Sequence, residues 1–187
     1  MFQELLEQIG VGLDALGIPY MVIGGQAVLL YGEPRLTRDI DVTVGVGPDR
    51  LADFLCLAKE RNWRVLSENP SSFVQKTSVL PCLEPTSGVR MDFIFGVSAY
   101  ERQAIGRARR EAIRKAQVCF ASAEDILIHK IVAGRPRDLE DARAIVAKQH
   151  TIDIAYIRHW LREFESSLGE KFCDRFEAVR NAGRGLR

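Results

Sequence analysis

Two aspartates separated by one residue lie in DIDVTV, a stretch that otherwise has the pattern of a buried β-strand. Successive side chains of a strand point to opposite faces, so Asp39 and Asp41 share one face. Ile40, Val42 and Val44 then point to the other face, toward a core. The α-carbons of the two aspartates lie about 6.6 Å apart, where two unpaired carboxylates repel by about 2–3 kcal/mol. The segment therefore predicts a strand that is apolar on its core side and acidic on the other.

The acidic pair is suited to bind a divalent cation. Carboxylate oxygens without a nearby histidine or cysteine suit Mg²⁺, which completes its shell with water or substrate phosphates. A third aspartate, Asp92, occurs in the later strand-like segment RMDFIF. Three aspartates on neighbouring strands would serve a two-metal phosphoryl-transfer site, whose ions lie about 3.5–4 Å apart. Taken alone, Asp39 and Asp41 are equally compatible with solvated aspartates on an exposed strand face.

A glycine pair, Gly24 and Gly25, separates the strand-like run IPYMVI from the helix-like run QAVLLYG. Glycines at such a turn let backbone amides approach a phosphate, and the helix N-terminus adds partial positive charge. Glycines are also ordinary punctuation between a strand and a helix. Because the acidic pair follows about fourteen residues later, the combination favours a phosphate and metal site.

Strand-like and helix-like segments alternate early in the chain, and the later part is helical. Apolar spacing predicts a first helix over 2–16, a meander of strands from Trp63 to Phe95 and a helix from Tyr100 to Ile113. We predict an α/β (α+β) fold with a mixed, twisted sheet. Residues 1–122 would form the α/β core, and residues 123–187 a helical segment packed on it as one compact unit.

The overall charge gives no attraction to nucleic acid or to a membrane. Lys and Arg total 26 and Asp and Glu total 25, a formal net charge of +1, so any basic footprint is local. Two clusters of basic residues could form such a footprint. A charged cluster is usually a solvated surface, yet these two are also the best candidates for contact with an RNA backbone. The basic residues concerned are Arg107, Arg109, Arg110, Arg114 and Lys115, with Arg175, Arg180, Arg184 and Arg187 near the C-terminus.

Cysteine spacing and the N-terminal residues predict a cytoplasmic protein. The four cysteines form no CxxC pair, and the three histidines show no ligand spacing, which favours reduced thiols over disulfides or a zinc site. The first segment carries Glu4, Glu7 and Asp14 among its apolar positions. Neither a signal peptide nor a membrane span is expected there.

Two segments resemble those of a known superfamily. GGQAVLLYGEPRLTRDIDV resembles the nucleotidyltransferase signature, in which a glycine pair precedes an acidic D-x-D strand. Its form, G-G…R-x-T-x-D-I-D, is similar to that of AbiEii/AbiGii-type toxins and their uncharacterised bacterial relatives. The later segment SAEDILIHKIVAGRPRDLEDARAIV is similar to that group's E-D…K…R-x-(K/R)-D-x-x-D region. The resemblance spans about Tyr20 to Val146 and implies a nucleotidyltransferase fold, with the helical segment closing over the nucleotide.

The resemblance implies a role for each matching residue of the first segment. Gly24 and Gly25 would hold the nucleoside triphosphate (NTP), and Asp39 and Asp41 would bind Mg²⁺, with two ions expected. Asp92 would be a third metal ligand or the base that deprotonates the acceptor hydroxyl. Gly25 stands where many members have serine, so a hydroxyl contact to phosphate is absent.

The same resemblance assigns further residues to the nucleotide. Lys130 matches a helix lysine that reaches the phosphates and assists catalysis, while Asp138 and Asp141 match the D-x-x-D pair. Arg35 matches the family's arginine, and Thr37 lies in the approach to the acidic strand. The alternatives are a lysine that extends past the core, a helix-capping Asp138 and a solvated Arg35. Asp141 has no capping role and would position a basic side chain.

These features predict an enzyme that transfers a nucleoside monophosphate from an NTP to an acceptor hydroxyl. The toxin resemblance implies an RNA 3′ end as acceptor, with tRNA as the first candidate, and a possible cognate antitoxin. A small hydroxylated acceptor is the alternative within the same chemistry. A non-catalytic nucleotide-binding module is the alternative outside it, and the intact Asp39, Asp41 and Asp92 argue against that module.

Overall fold

The computed structural model describes the backbone of residues 1–184 and the side chains of residues 1–183. The side chains of Arg184 and Arg187, which we predicted to be part of a basic footprint, lie outside the described part. No described helix is both long and apolar enough to cross a membrane. The helices are α1 (Phe2–Ala15), α2 (Gly24–Tyr31), α3 (Leu51–Glu60), α4 (Pro70–Thr77), α5 (Ala99–Gly106), α6 (Ala123–Ala133), α7 (Pro136–Lys148), α8 (Ile154–Leu168) and α9 (Phe172–Arg184).

The strands of the described chain form one mixed sheet in the order β3-β4-β5-β2-β1-β7-β6. β2 is parallel to β5 and β1 is parallel to β7, whereas the other neighbours are antiparallel. The mixed α/β fold predicted from the sequence is therefore confirmed. The strands are β1 (Tyr20–Ile23), β2 (Asp39–Val44), β3 (Arg64–Val65), β4 (Val79–Leu83), β5 (Arg90–Phe95), β6 (Arg109–Ile113) and β7 (Ala116–Phe120).

One face of the central strands is fully apolar. Ile40, Val42 and Val44 of β2 are completely buried, as their alternation with the aspartates predicts. On the same face, Phe93 of β5 packs against Phe54 of α3 with ring centroids 5.4 Å apart. This packing fixes the orientation of β2 and β5, because a one-residue slip would place the core residues on the polar face.

The region from Trp63 to Phe95 differs from the predicted meander of strands, because α4 (Pro70–Thr77) interrupts it. The side chain of Asn69 accepts a hydrogen bond from the Ser72 amide at 3.1 Å, and Pro70 occupies the first turn. An Asn-Pro pair is a helix start signal, so the sequence carried this information. The prediction of a continuous meander was wrong at this helix.

The predicted helix from Tyr100 to Ile113 is wrong in its second half. The helix ends at Gly106, and Arg109–Ile113 instead forms β6, which pairs antiparallel with β7. Arg114, in the turn between them, has a left-handed φ of +55°. Glycine or asparagine usually occupies such a position, so the common sequence signal for a hairpin is missing here.

The chain folds into two compact units. The first contains Met1–Gln26 and Leu36–Ala121, and therefore the whole described sheet. The second contains Ala27–Arg35 and the helices from Ser122 onward. In the second unit, the Tyr156 hydroxyl donates to a buried carboxylate oxygen of Asp125 at 2.7 Å, which links α8 to the start of α6.

Candidate active site

The three aspartates predicted to bind metal lie on two adjacent strands of the first unit. Asp39 and Asp41 are on β2, and Asp92 is on β5. In the parallel register of these strands, Asp41 is beside Asp92 and Asp39 is beside Arg90. Neighbouring strands lie about 4.8 Å apart, and paired residues project from the same face. The sheet thus brings together two carboxylates from segments about fifty residues apart.

Arg90 contributes a positive charge to this acidic face. Its Nε donates a hydrogen bond to Oδ1 of Asp92 at 2.8 Å. This hydrogen bond raises the pKa of Arg90, burial opposes the shift, and the charges of Asp92, Asp41 and Asp39 reinforce it. The guanidinium therefore responds electrostatically to all three carboxylates. Sequence reasoning missed Arg90, although its position two residues before Asp92 on a strand places both side chains on one face.

Gly24 begins α2 with a left-handed φ of +62°. A β-carbon at this position would lie 2.1 Å from Oδ2 of Asp41, far inside van der Waals contact. Two independent requirements therefore select glycine here: the backbone conformation and the close approach of the Asp41 carboxylate. The sequence indicated only a phosphate-binding turn, and it gave no reason for the contact with Asp41.

Two further polar side chains of the first unit lie next to these residues in sequence. Thr37 is nearly buried, and its hydroxyl donates to Oδ1 of Asp39 at 3.2 Å. Gln26, in the first turn of α2, is 6% exposed. Its Nε2 has no hydrogen-bond partner within the described residues. A buried amide donor without a partner is costly, so Gln26 is a candidate to bind a ligand oxygen.

The donor atoms fit a hard divalent cation. No three His, Cys, Asp or Glu side chains of the described chain lie close enough together to coordinate one ion. In this arrangement Asp92 forms an ion pair with Arg90, and Asp39 accepts a hydrogen bond from Thr37. Carboxylate oxygens are nevertheless the ligands that Mg²⁺ prefers, and any β-carbon at position 24 would cover the Asp41 oxygen. The residues present thus suit Mg²⁺ once these side chains rearrange.

The second unit contains a buried cluster of ion pairs. Lys130 Nζ lies 2.8 Å from Asp138 Oδ1 and 2.9 Å from Asp141 Oδ2. Arg35 Nε lies 2.9 Å from Asp141 Oδ1, and Arg135 contacts Asp138. Lys130, Asp138 and Asp141 are all buried, so the lysine neither reaches solvent nor lacks partners. Arg135, and not Asp138, is the N-cap residue of α7.

The ion pairs among Lys130, Asp138, Asp141, Arg35 and Arg135, here called the Lys130 cluster, lead to a prediction about stability. Burial raises the pKa of Asp138, but hydrogen bonds from Arg135 and Lys130 outweigh it and hold the pKa below its ordinary value. This stabilisation is present above the unfolded-state pKa, about 4, and is lost as pH falls through the lowered folded-state pKa. We expect Lys130→Met to lower the free energy of unfolding at pH 7 by about 3–5 kcal/mol, because it removes the buried ammonium that two buried carboxylates share.

Urea unfolding at pH 7 would measure this change. Lys148→Met is the matched control, because Lys148 pairs with an exposed glutamate, Glu33, at 3.0 Å. The loss of a surface pair should cost about 1 kcal/mol or less. Equal effects of the two substitutions would contradict a buried, tightly coupled cluster.

A sequence comparison identifies the family. Residues 2–175 match the family described as "Nucleotidyl transferase of unknown function (DUF2204)". The chain belongs to this family. The match includes the glycine pair, the three aspartates and the Lys130 cluster, and it makes the protein a nucleotidyltransferase.

Solved nucleotidyltransferase structures share the fold of this DUF2204 protein. An antigenic nucleotidyltransferase-like protein from Paracoccidioides brasiliensis has a TM-score of 0.59 at 18% identity, with 96% of this chain and 92% of that chain covered. ANT(2")-Ia, in complex with adenylyl-2"-tobramycin, has a TM-score of 0.53 at 19% identity, with 98% and 97% covered. A putative nucleotidyltransferase from H. pylori has a TM-score of 0.51 at 13% identity, with 97% and 92% covered.

These identities are low, so the structural likeness establishes the fold of the DUF2204 protein and not its substrates. No functionally curated protein matches this sequence. The nucleotidyltransferase fold that the resemblance of the two segments implies is confirmed.

Several basic residues of the DUF2204 protein that we considered for RNA contact form ion pairs within the chain. Arg114 pairs with Glu7 at 2.7 Å. In the second unit, Arg175 pairs with Glu170 at 2.9 Å and Arg180 with Glu177 at 2.8 Å. Other members of the predicted footprint, Arg109, Arg110 and Lys115, are exposed on or beside β6.

Proposed function

We propose that this nucleotidyltransferase uses two Mg²⁺ ions, held by Asp39, Asp41 and Asp92, to transfer a nucleoside monophosphate from an NTP to an acceptor hydroxyl. The observation that carries the proposal is the side-by-side register of Asp41 and Asp92 on β2 and β5, with Asp39 on the same face. Three carboxylates on one face repel one another, and a bound cation would compensate that repulsion.

Each residue of the acidic face would have a defined task. Asp39 and Asp41 would bind the metals, and Asp92 would bind metal or accept the proton of the acceptor hydroxyl. The hydroxyl of Thr37 would hold the Asp39 carboxylate in place. When bound, the two ions would stabilise the charge that develops on the attacking and leaving oxygens.

The N-terminus of α2 would bind the triphosphate. Its first residues, Gly24 and Gly25, carry no side chain that would block a phosphate, and the helix end favours negative charge. The unpartnered amide of Gln26 would donate to a phosphate oxygen. The nucleotide-binding roles suggested for Lys130, Arg35, Asp138 and Asp141 stay predictions, because in this structure these groups bind one another.

Replacement of Gln26 tests this assignment. We expect Gln26→Leu to weaken binding of an NTP with a non-hydrolysable α–β linkage by about five- to tenfold, because one hydrogen bond to a charged oxygen is lost. The free energy of unfolding should stay equal or rise, since an unpaired buried donor is removed. Titration calorimetry and urea unfolding measure the two effects.

Gln3→Leu, which alters an exposed glutamine of α1, is the matched control and should change neither quantity. Unaltered nucleotide affinity in Gln26→Leu, together with a gain in stability, would mean that Gln26 is only an unsatisfied donor.

The acceptor has two candidates. The motif resemblance to AbiEii/AbiGii-type toxins favours an RNA 3′ end, with tRNA first, and the exposed Arg109, Arg110 and Lys115 support it. In this case the protein would act in the cytoplasm with a cognate antitoxin. The internal pairing of Arg114, Arg175 and other basic residues instead favours a small hydroxylated acceptor. The shared fold with ANT(2")-Ia, whose structure holds adenylyl-2"-tobramycin, agrees with that second candidate.

A labelling experiment tests the reaction and separates the acceptors. The purified protein is incubated with Mg²⁺, each α-³²P-labelled NTP in turn, and total tRNA, protein or a panel of small polyhydroxylated compounds. We expect transfer of label to one acceptor class, and no transfer in EDTA. Absence of label on every acceptor with every NTP, or equal labelling in EDTA, would contradict the proposal.

A further inference from the structure

We propose that Arg90 is an exchangeable counterion that a divalent cation must displace from Asp92, and that it thereby sets the cation affinity of the acidic face. This inference rests on the proposed metal site. It assigns Arg90 the role of a positioning residue, which acts through a carboxylate and does not touch the reacting atoms.

The four residues form a compact block on one face of the sheet. Arg90 and Asp92 are two residues apart on β5, and in the parallel register they face Asp39 and Asp41 of β2. The guanidinium Nε is 2.8 Å from Asp92 Oδ1. In the proposed metal site this carboxylate would bind a cation, so the hydrogen bond and a metal bond would compete for the same carboxylate.

The charges of this block favour exchange. Three carboxylates and one guanidinium leave a formal charge of two negative units on these four side chains. Arg90 compensates one of the three negative charges, whereas a divalent cation supplies two. A cation that reaches Asp92 therefore gains more electrostatic attraction from Asp39 and Asp41 than the guanidinium does.

The exposure of the pair allows the exchange without unfolding. The side chain of Arg90 is 53% exposed, whereas that of Asp92 is 19% exposed. The guanidinium can thus move into solvent by rotation about its own side-chain bonds, while the Asp92 carboxylate stays on the sheet. Partly exposed ion pairs contribute little net stability. The need to break the Arg90–Asp92 pair therefore weakens cation binding by a modest factor and does not prevent it.

Direct measurement of Mn²⁺ binding to the nucleotide-free protein tests this inference. Electron paramagnetic resonance of free Mn²⁺ gives the dissociation constant for the wild type and for Arg90→Met. We expect Arg90→Met to bind Mn²⁺ about fivefold more tightly than the wild type. This factor corresponds to the free energy of one partly exposed ion pair, which the cation no longer has to break. Lys59→Met removes the same charge from an exposed position on α3 and should leave the dissociation constant within about twofold of the wild type.

Thermal unfolding supplies a second readout that a merely structural role would not produce. In EDTA, Arg90→Met should unfold at a lower temperature than the wild type, because Asp92 loses its counterion. At saturating Mn²⁺ this difference should disappear or reverse, because the cation then replaces the guanidinium. Arg90→Lys, which retains a positive charge but not the fork of donors, should bind Mn²⁺ with intermediate affinity.

The outcomes separate this inference from the proposed function. Equal Mn²⁺ affinity in the wild type and Arg90→Met, with binding lost in Asp92→Asn, would overturn the role of Arg90 and leave the metal site intact. Absence of Mn²⁺ binding in both the wild type and Arg90→Met would overturn the metal site itself, and the role of Arg90 with it.

Discussion

Asp41→Asn is expected to reduce nucleotidyl transfer by about 10³-fold or more while the protein stays folded. Asp41 is beside Asp92 in the β2–β5 register, and its Oδ2 lies 2.1 Å from the position that a β-carbon on Gly24 would take. Asp41 therefore connects the third aspartate, its neighbour in the sheet, with the glycine turn. Asparagine keeps the shape and removes the charge, and loss of about 4 kcal/mol of transition-state stabilisation corresponds to this factor.

The measurement is single-turnover transfer of labelled nucleotide, with thermal unfolding recorded in parallel. The unfolding temperature should be unchanged or slightly higher in the variant, because removal of one carboxylate relieves repulsion among three. Asp49→Asn makes the same charge change at an exposed turn and should leave transfer unaltered. Transfer by Asp41→Asn within tenfold of the wild type would show that the acidic face is not the catalytic centre.

Gly24→Ala is expected to reduce transfer by about 100-fold and to destabilise the protein by about 2 kcal/mol. The new β-carbon would lie 2.1 Å from Oδ2 of Asp41, so the carboxylate or the start of α2 must move. The φ of +62° adds about 1 kcal/mol of backbone strain for any residue with a β-carbon. A displacement of about 1 Å at a catalytic group commonly costs a factor of this size.

Gly17→Ala separates the contact from the backbone strain. Gly17 has nearly the same φ, +63°, but a β-carbon there would have no atom within 4 Å. Gly17→Ala should therefore lower the free energy of unfolding in urea by about 1 kcal/mol and leave the rate of nucleotidyl transfer unchanged. If Gly17→Ala and Gly24→Ala lower stability equally and both keep full activity, the close approach to Asp41 has no functional role.

The part of the site that sequence predicts is the part encoded by local spacing. The D-x-D pattern places Asp39 and Asp41 on one strand face, and the glycine pair marks the start of α2. The identity of Asp92 as a third carboxylate was also predictable, but its alignment with Asp41 depends on strand register. Register is set by packing of the opposite, apolar face, which a single sequence does not display directly.

The residues that sequence reasoning missed can be recognised only from their surroundings in the fold. Arg90 resembles any surface arginine until its hydrogen bond to Asp92 is seen. Gln26 resembles a helix residue until its burial without a partner is seen. Lys130 was singled out from the sequence and Asp141 was expected to position a basic side chain, but the motif did not indicate that both Asp138 and Asp141 contact the lysine.

The errors in secondary structure have equally specific causes. Asn69 and Pro70 do mark a helix start, but Asn-Pro-Ser is also typical of a turn between strands, and the meander prediction interpreted it as such a turn. For Arg109–Ile113, charged residues typical of a helix surface form an edge strand, because pairing with β7 supplies backbone hydrogen bonds that local preference does not anticipate.

The parallel pairing of β2 with β5 also affects the order in which the protein folds during synthesis. Asp41 and Asp92 are about fifty residues apart in the chain, and parallel pairing across such a separation closes a large loop, which slows folding. During synthesis, a nascent chain that ends before β5 carries two of the three aspartates and no Asp92. The metal site proposed above therefore forms only after β5 has been synthesised and has paired with β2.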